Sequence, residues 1–269
     1  AALGLPAITL SVILRAHADA ATMPDGDGKL PYQLIASSST DEAATLLFEA
    51  SGAAPRPLWE ALDPGTAAAS SAELRAAIAT SPIVAAHPFA PSENWVPAWA
   101  SLVRLRPGLD NKKGLRAGEL AIVTHIDRDG DVKLKRHCDG QALWGVFSRE
   151  DLVHGFDKWL PLHAAAALAM HVAAVSAVLE AYRPAATMPD ASSKLPHELL
   201  PPNATDDAAW LLFDASGAAP RQIWEALDRT TALASFAELR AALRTEEQAR
   251  QTWCLPTDWA PSVGALVRL

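Results

Sequence analysis

The sequence predicts a mainly α-helical fold in which two helical blocks flank a small β-rich module. Three observations lead to this prediction. The chain of 269 residues is 50% hydrophobic but only 6% aromatic, and it is rich in alanine, which favours short, closely packed helices. A long internal repeat duplicates the helical part. Between the two copies, one segment changes to β-branched and basic residues.

The internal repeat has an offset of about 165 residues. Residues 21–25 recur at 186–190, and residues 51–56 recur at 216–221 with the same letters, Ser-Gly-Ala-Ala-Pro-Arg. Most of the aligned positions around these segments are identical, which chance does not produce. The helical part is therefore a duplicated unit.

This duplication divides the chain into three predicted domains. They are a first helical block at residues 1–100, a β module at 101–157 and a second helical block at 158–269. The second copy stops where the first copy passes into the module. We therefore expect the sequence to be a piece of a longer array.

Each helical block has a finer period of about 35 residues, which is typical of stacked helix pairs. The segment 160–166 predicts a first helix with Pro161 in its first turn, where a missing N–H has no cost. A second helix is predicted over Val172–Ala181, because Val175 and Val178 fall on one face.

The tetrad Leu-Pro-Leu-His at 160–163, with the alanines that follow it, resembles the start of an ankyrin repeat. The resemblance implies that both helical blocks are ankyrin-like. It also implies that His163 is structural and bonds the backbone of a neighbouring repeat. The tetrads at 30–33 and 195–198 carry other residues at that place, so the resemblance implies looser or capping repeats there.

The module differs from the blocks in charge and in pattern. Residues 104–149 hold ten Lys or Arg against six Asp or Glu, although the whole chain has a net charge of -8. Residues 120–126 are rich in β-branched residues, 127–131 predict a hairpin turn, and 132–136 alternate apolar and basic residues. The pattern predicts a strand with one buried face and one cationic face.

Several short segments of the module resemble the SH3-like repeat found beside ankyrin repeats in Mind bomb and related ubiquitin ligases. These segments are Val-Arg-Leu at 103–105, Gly118, the turn at 129–132, Trp144 and Asp-Leu-Val at 151–153. The resemblance implies a small SH3-like β-barrel. Within such a barrel, Trp144 belongs either to the core or to a peptide groove. In the second case Lys133, Lys135, Arg136 and Trp144 are the candidate partner-binding residues, forming a cationic, aromatic surface for an acidic peptide.

The sequence offers little for other classes of function. We find no catalytic constellation, no phosphate-binding loop and no metal-ligand spacing, and we expect neither a cofactor nor a small-molecule ligand. The acidic balance argues against nucleic acid as a partner. The longest apolar stretch, 164–181, is interrupted by His171 and Glu180, so we expect no transmembrane segment.

These observations predict a non-catalytic scaffold or linker that holds other proteins, including subunits of a larger complex. An alternative is the substrate-recognition region of a multidomain ubiquitin ligase whose catalytic domain lies outside this chain. A third class, an enzyme with an unrecognised site, is less favoured. The two cysteines lie far apart, and we expect an intracellular, reducing compartment.

Overall fold

The computed structural model describes residues 5–35, 40–63, 69–109, 111–227 and 234–244. These residues form nine α-helices and six β-strands, joined by loops and short 3₁₀ turns. The helices are α1 (Ala7–Ala16), α2 (Asp41–Ser51), α3 (Leu58–Ala61), α4 (Ser71–Thr80), α5 (Pro161–Ala167), α6 (Val172–Ala181), α7 (Asp206–Ser216), α8 (Ile223–Leu227) and α9 (Phe236–Arg244). The strands are β1 (Leu102–Leu105), β2 (Asn111–Lys112), β3 (Leu115–Arg116), β4 (Ala121–Ile126), β5 (Val132–Arg136) and β6 (Leu152–His154).

The longer helices form one stack. Helix α1 packs on α2, α2 on α4, α4 on α6, α6 on α7 and α7 on α9, while the short helices α3, α5 and α8 pack against α4, α6 and α9. The contact between α4 and α6 joins the two sequence copies directly. The stack is therefore continuous, and the module branches from it between α4 and α5.

The helices begin at residues that satisfy free backbone N–H groups. Thr40 and Thr205 cap α2 and α7 by accepting from the N–H three residues on, and Ser70 does the same for α4. Gly52 and Gly217 end α2 and α7 in the left-handed conformation, with φ values of 59° and 60°. The duplicated sequence thus starts and stops its helices with duplicated signals.

The module is built on a four-stranded antiparallel sheet with the order β5-β4-β1-β6, beside the two-stranded pair β2-β3. Side chains alternate between its two faces. Val103 and Leu105 of β1 enter a core inside the module, whereas Leu102 enters the core that runs through α4, α5 and α6. One face of the sheet therefore packs on the helix stack.

The predicted fold class, mainly α with two ankyrin-like blocks flanking an SH3-like barrel, is wrong. Helical segments make up 45% of the described residues, and a four-stranded and a two-stranded sheet are present beside them. In the described part of the chain the sheet is open, because β5 and β6 are its two edges and do not pair with each other. The edge β5 is instead bordered by residues 142–147, which form isolated bridges from Lys135 to Ala142 and from Val132 to Phe147.

Three physical reasons account for the difference. The strand β6 leads directly into Phe156 and Trp159, which are buried in the helical core, so the chain leaves the sheet before it can close. The pair β2-β3 is only two residues long on each side. Finally, the helical blocks are not separate bodies beside the module, because α4 and α6 pack on each other. The end of the predicted second block, beyond Arg244, lies outside the described residues.

Candidate functional site: a basic sheet face

Three of the four predicted partner-binding residues lie on the same face of the sheet. Lys133 and Lys135 are exposed on β5, where they alternate with the buried residues Val132 and Leu134. Trp144 lies in the neighbouring segment 142–147 and is 85% exposed. We call Lys133, Lys135 and Trp144 the basic face.

The register explains why Trp144 is beside the lysines. The N–H of Leu143 donates to the carbonyl of Leu134, and Phe147 exchanges two backbone hydrogen bonds with Val132. Two extra residues are accommodated between these points, and Trp144 stands next to the position opposite Lys133. Leu143 packs against the module core, whereas Trp144, the next residue, is exposed.

Arg136, the fourth predicted residue, lies on the opposite face of β5. Its Nη1 donates to Asp139 Oδ2 at 2.8 Å, its Nη2 donates to the Gly114 carbonyl, and its Nε is 3.6 Å from Glu119 Oε1. The period of two along β5 places residue 136 with Val132 and Leu134 rather than with the lysines. Its charge is therefore engaged within the module.

Lys113 is a cation near the basic face that the sequence analysis missed. Its ammonium donates to the carbonyl of Val146 and lies 5.6 Å from the centre of the Phe147 ring. Lys113 has a φ of 51°, in the turn that joins β2 to β3. The adjacent Lys-Lys pair was visible in the sequence, but only the fold brings it to the segment that carries Trp144.

A cleft of about 1040 Å³ separates the module from the second helical block. Its charged groups are held by internal bonds: Lys194 Nζ donates to the Ala117 carbonyl at 2.8 Å, Arg136 pairs with Asp139, and Arg221 pairs with Glu238 at 2.7 Å. The Lys194 bond joins the helices to the module, whereas the other two pairs are internal to the module and to the second block. These contacts leave the cleft better suited to holding two parts of the chain together than to capturing a charged ligand.

His137 and Cys138 line this cleft. Burial raises the pKa of the Cys138 thiol, with Asp139 and Glu119 adding to the effect. Burial also lowers the pKa of His137, and Lys135 acts in the same direction. At neutral pH the thiol is protonated and the imidazole is neutral, which is a poor starting point for nucleophilic chemistry. Within the described ranges, no group of three His, Cys, Asp or Glu side chains is arranged to hold a metal ion.

A buried polar cluster anchors the module from below. Arg104 on β1 is fully buried, with its Nε donating to the Gly155 carbonyl and its guanidinium 5.0 Å from the centre of the Trp159 ring. Trp159 Nε1 donates to Asp190 Oδ2 at 2.9 Å. Burial lowers the pKa of Arg104, while Asp190 and Asp157 oppose that shift. The cluster ties the sheet to the turn that precedes α7.

His163 belongs to the same region. Its Nε2 is 3.0 Å from the carbonyl of Met188, and burial lowers the pKa of the imidazole despite the nearby carboxylate of Asp190. This contact reaches the backbone 25 residues further on, which is the structural role expected for His163. The residue is inside the helix stack and away from the basic face.

A smaller pocket of about 370 Å³ lies between α7 and α9. Trp210 and Phe236 line it and are both exposed, and the Arg240 guanidinium is 4.9 Å from the centre of the Phe236 ring. The first helical block has Thr45 and Ser71 at the two aromatic positions. The two blocks therefore differ on this surface at both aromatic positions.

Comparison with known proteins gives no relative for this chain: no family model, curated protein or solved structure matches it. No described helix combines the length and the apolar character that crossing a lipid bilayer requires.

Proposed function

We propose that this protein is a non-catalytic scaffold or linker that binds acidic segments of partner proteins on the basic face. The observation that carries the proposal is the exposure of Trp144, at 85%, beside the exposed cations Lys133 and Lys135. A large exposed aromatic side chain is a common anchor of protein interfaces, and the lysines beside Trp144 provide the charge that is complementary to an acidic segment.

The surroundings of the basic face support an extended acidic ligand. The segment 142–147 follows β5 only through isolated bridges, so part of its backbone is available to an added strand. Lys113 adds a further cation at the end of that segment. An acidic peptide lying along it would meet cations at both ends and the indole of Trp144 in the middle.

The module is also held rigidly, which suits a linker. The Arg104 cluster and the Lys194 bond fix the sheet to the helix stack at two separate points. A partner bound on the basic face would consequently keep a defined position relative to the helices. Prior ordering of the surface lowers the entropic cost of binding.

The test is affinity capture from the native source, with cross-linking, using the full chain and two variants. In the first variant, Lys133→Glu and Lys135→Glu are combined with Trp144→Ala. The matched control carries Lys29→Glu and Lys158→Glu, which reverse two exposed lysines outside the basic face. We expect the first variant to weaken capture at least about tenfold and to lower its sensitivity to salt, because released ion pairs no longer contribute.

The control should bind as the wild type does. Equal capture by all three proteins would rule out the basic face as the docking surface. Retained capture with an unchanged salt dependence would likewise place the partner elsewhere. Circular dichroism of each variant establishes that the fold is intact.

A further inference from the structure

Each of the two helices that form the contact between α4 and α6 has a copy elsewhere in the chain. Under the repeat offset, α9 is the copy of α4, and α1 is the copy of α6. The chain therefore carries a second helix of each kind that makes this contact. In the described stack, α1 and α9 stand at opposite ends.

The internal contact is apolar. Leu74 of α4 is fully buried and belongs to the same hydrophobic core as Ala174 and Val178 of α6, with Ile78 packed against that core. These residues recur every three to four positions along each helix, as helix–helix packing requires. The contact joins one sequence copy to the other.

The corresponding face of α9 is apolar and partly exposed. Leu239 stands at the position of Leu74 and Leu243 at the position of Ile78. Leu243 is 57% exposed, and Leu239 is only half-buried, although Leu74 is fully buried. The face that α4 places against α6 is thus repeated on α9 without a described helix over it.

The corresponding face of α1 is also apolar and exposed. Val12 and Ile13 stand at the positions of Ala177 and Val178, which are buried in α6. Val12 is 61% exposed and Ile8, one turn earlier, is 75% exposed. The opposite side of α1 is satisfied, because Ala7 and Leu10 are buried against α2 and its neighbours. Helix α1 therefore has one apolar side that is buried in the protein and another that is exposed to solvent.

We propose that α9 of one copy of this chain docks on α1 of a second copy, in the arrangement that α4 and α6 adopt within the chain. The internal contact of α4 with α6 is the template for this docking, because α9 and α1 carry apolar residues at the equivalent positions. Such a head-to-tail contact uses two different surfaces and does not close on itself, so chains of molecules form as the concentration rises. Because a single helix face is small, we expect a weak, reversible association.

The test is sedimentation velocity of the full chain over a range of concentrations. The variants are Val12→Glu on α1 and Leu243→Glu on α9, with Met23→Glu as the matched control, since Met23 is an equally exposed apolar residue in a loop. A carboxylate buried against an apolar face is strongly unfavourable. We expect either face variant to weaken association at least about tenfold, and the control to leave it unchanged.

Mixing the two face variants gives the sharper result. Val12→Glu retains its α9 face and Leu243→Glu retains its α1 face, so the mixture should form a one-to-one dimer that grows no further. A symmetric contact between two α1 helices would not be rescued by mixing. The contact is apolar, so its strength should hardly change with salt, unlike binding on the basic face.

Three outcomes would overturn the proposal. The first is a wild-type chain that stays monomeric at all concentrations. The second is a mixture of the two variants that stays monomeric. The third is a Leu243→Glu variant that associates as the wild type does, which would mean that something else occupies the α9 face, such as residues 245–269 of the same chain. The proposal does not depend on the basic face, and variants of that face should self-associate normally.

Discussion

Arg56 and Glu73 in the first helical block form the same ion pair as Arg221 and Glu238 in the second. In both, the guanidinium Nε donates to Oε1 at 2.7 Å and Nη2 donates to Oε2 at 2.8 Å. The surroundings differ: the Arg56 side chain is 7% exposed and that of Arg221 is 17% exposed. The duplication therefore preserves the local geometry, while the neighbours decide how far water reaches it.

The largest expected effect separates the two copies of this ion pair. Glu73→Ala leaves the buried Arg56 charge without its carboxylate, and we expect it to lower the free energy of unfolding by about 3–5 kcal/mol. Glu238→Ala should cost less, because the more exposed Arg221 can recover hydration. Urea denaturation of both variants measures the two values, with Glu42→Ala, on the exposed start of α2, as the surface control.

Equal losses from Glu73→Ala and Glu238→Ala would contradict the idea that the neighbours set the strength of the pair. In each copy, one member of the pair has a pKa that is shifted toward its charged form. Burial opposes charge on Glu238, yet the hydrogen bonds and charge of Arg221 together lower the pKa of this carboxylate. Burial also opposes charge on Arg56, and Glu73 outweighs it so that the pKa is raised.

The second expected effect is a loss of folding stability as the pH falls. Burial lowers the pKa of His137 and His154 in the module and of His163 and His197 in the second block. Below their ordinary pKa near 6.5 the unfolded chain takes up protons that the folded chain does not. Each histidine should then remove about 1 kcal/mol of stability per pH unit. The first block has Tyr32 where the second has His197.

The acid test is unfolding in urea at pH 7.5 and at pH 5.5. The wild type should be less stable at pH 5.5, and His197→Tyr, which installs the residue of the first block, should reduce that loss. His17→Tyr is the control, because His17 is exposed. A loss that His197→Tyr leaves unchanged would show that His197 takes up a proton as readily in the folded protein as in the unfolded chain.

The sequence predicted local elements better than their assembly. Helix α6 begins and ends at the predicted residues, and the hairpin at 127–131 joins two strands as predicted, with Asp127 donating from its N–H to the Asp131 carbonyl. These features depend on caps, turns and alternation that lie close together in the chain. The contact of α4 with α6 crosses the whole module, and no local pattern contains it.

The candidate site shows the same division. The alternation along β5 identified Lys133 and Lys135 as exposed, and the same alternation places Arg136 on the other face, which grouping the three cations by charge overlooked. Lys113 reaches the site through the β2-β3 turn, a tertiary event. The closed barrel was wrong because sheet closure depends on which strands become edges, and that is decided by the burial of Trp159 in the helix stack.

The smallest expected effect tests a single substitution between the copies. Asp41 binds both the N–H and the hydroxyl of Ser71 at 2.7 Å, whereas Asp206 reaches only the N–H of Phe236, at 2.6 Å. Ser71→Ala should lower the free energy of unfolding by about 1 kcal/mol through the lost hydroxyl bond.

Phe236→Ser offers that bond to Asp206 but removes the stacking of Arg240 on the ring, so we expect a change below about 0.5 kcal/mol. Urea denaturation of Ser71→Ala and Phe236→Ser, each against wild type, measures this. A loss above about 2 kcal/mol for Phe236→Ser would show that the exposed ring stabilises the fold itself, and that the surface difference between the blocks is structural.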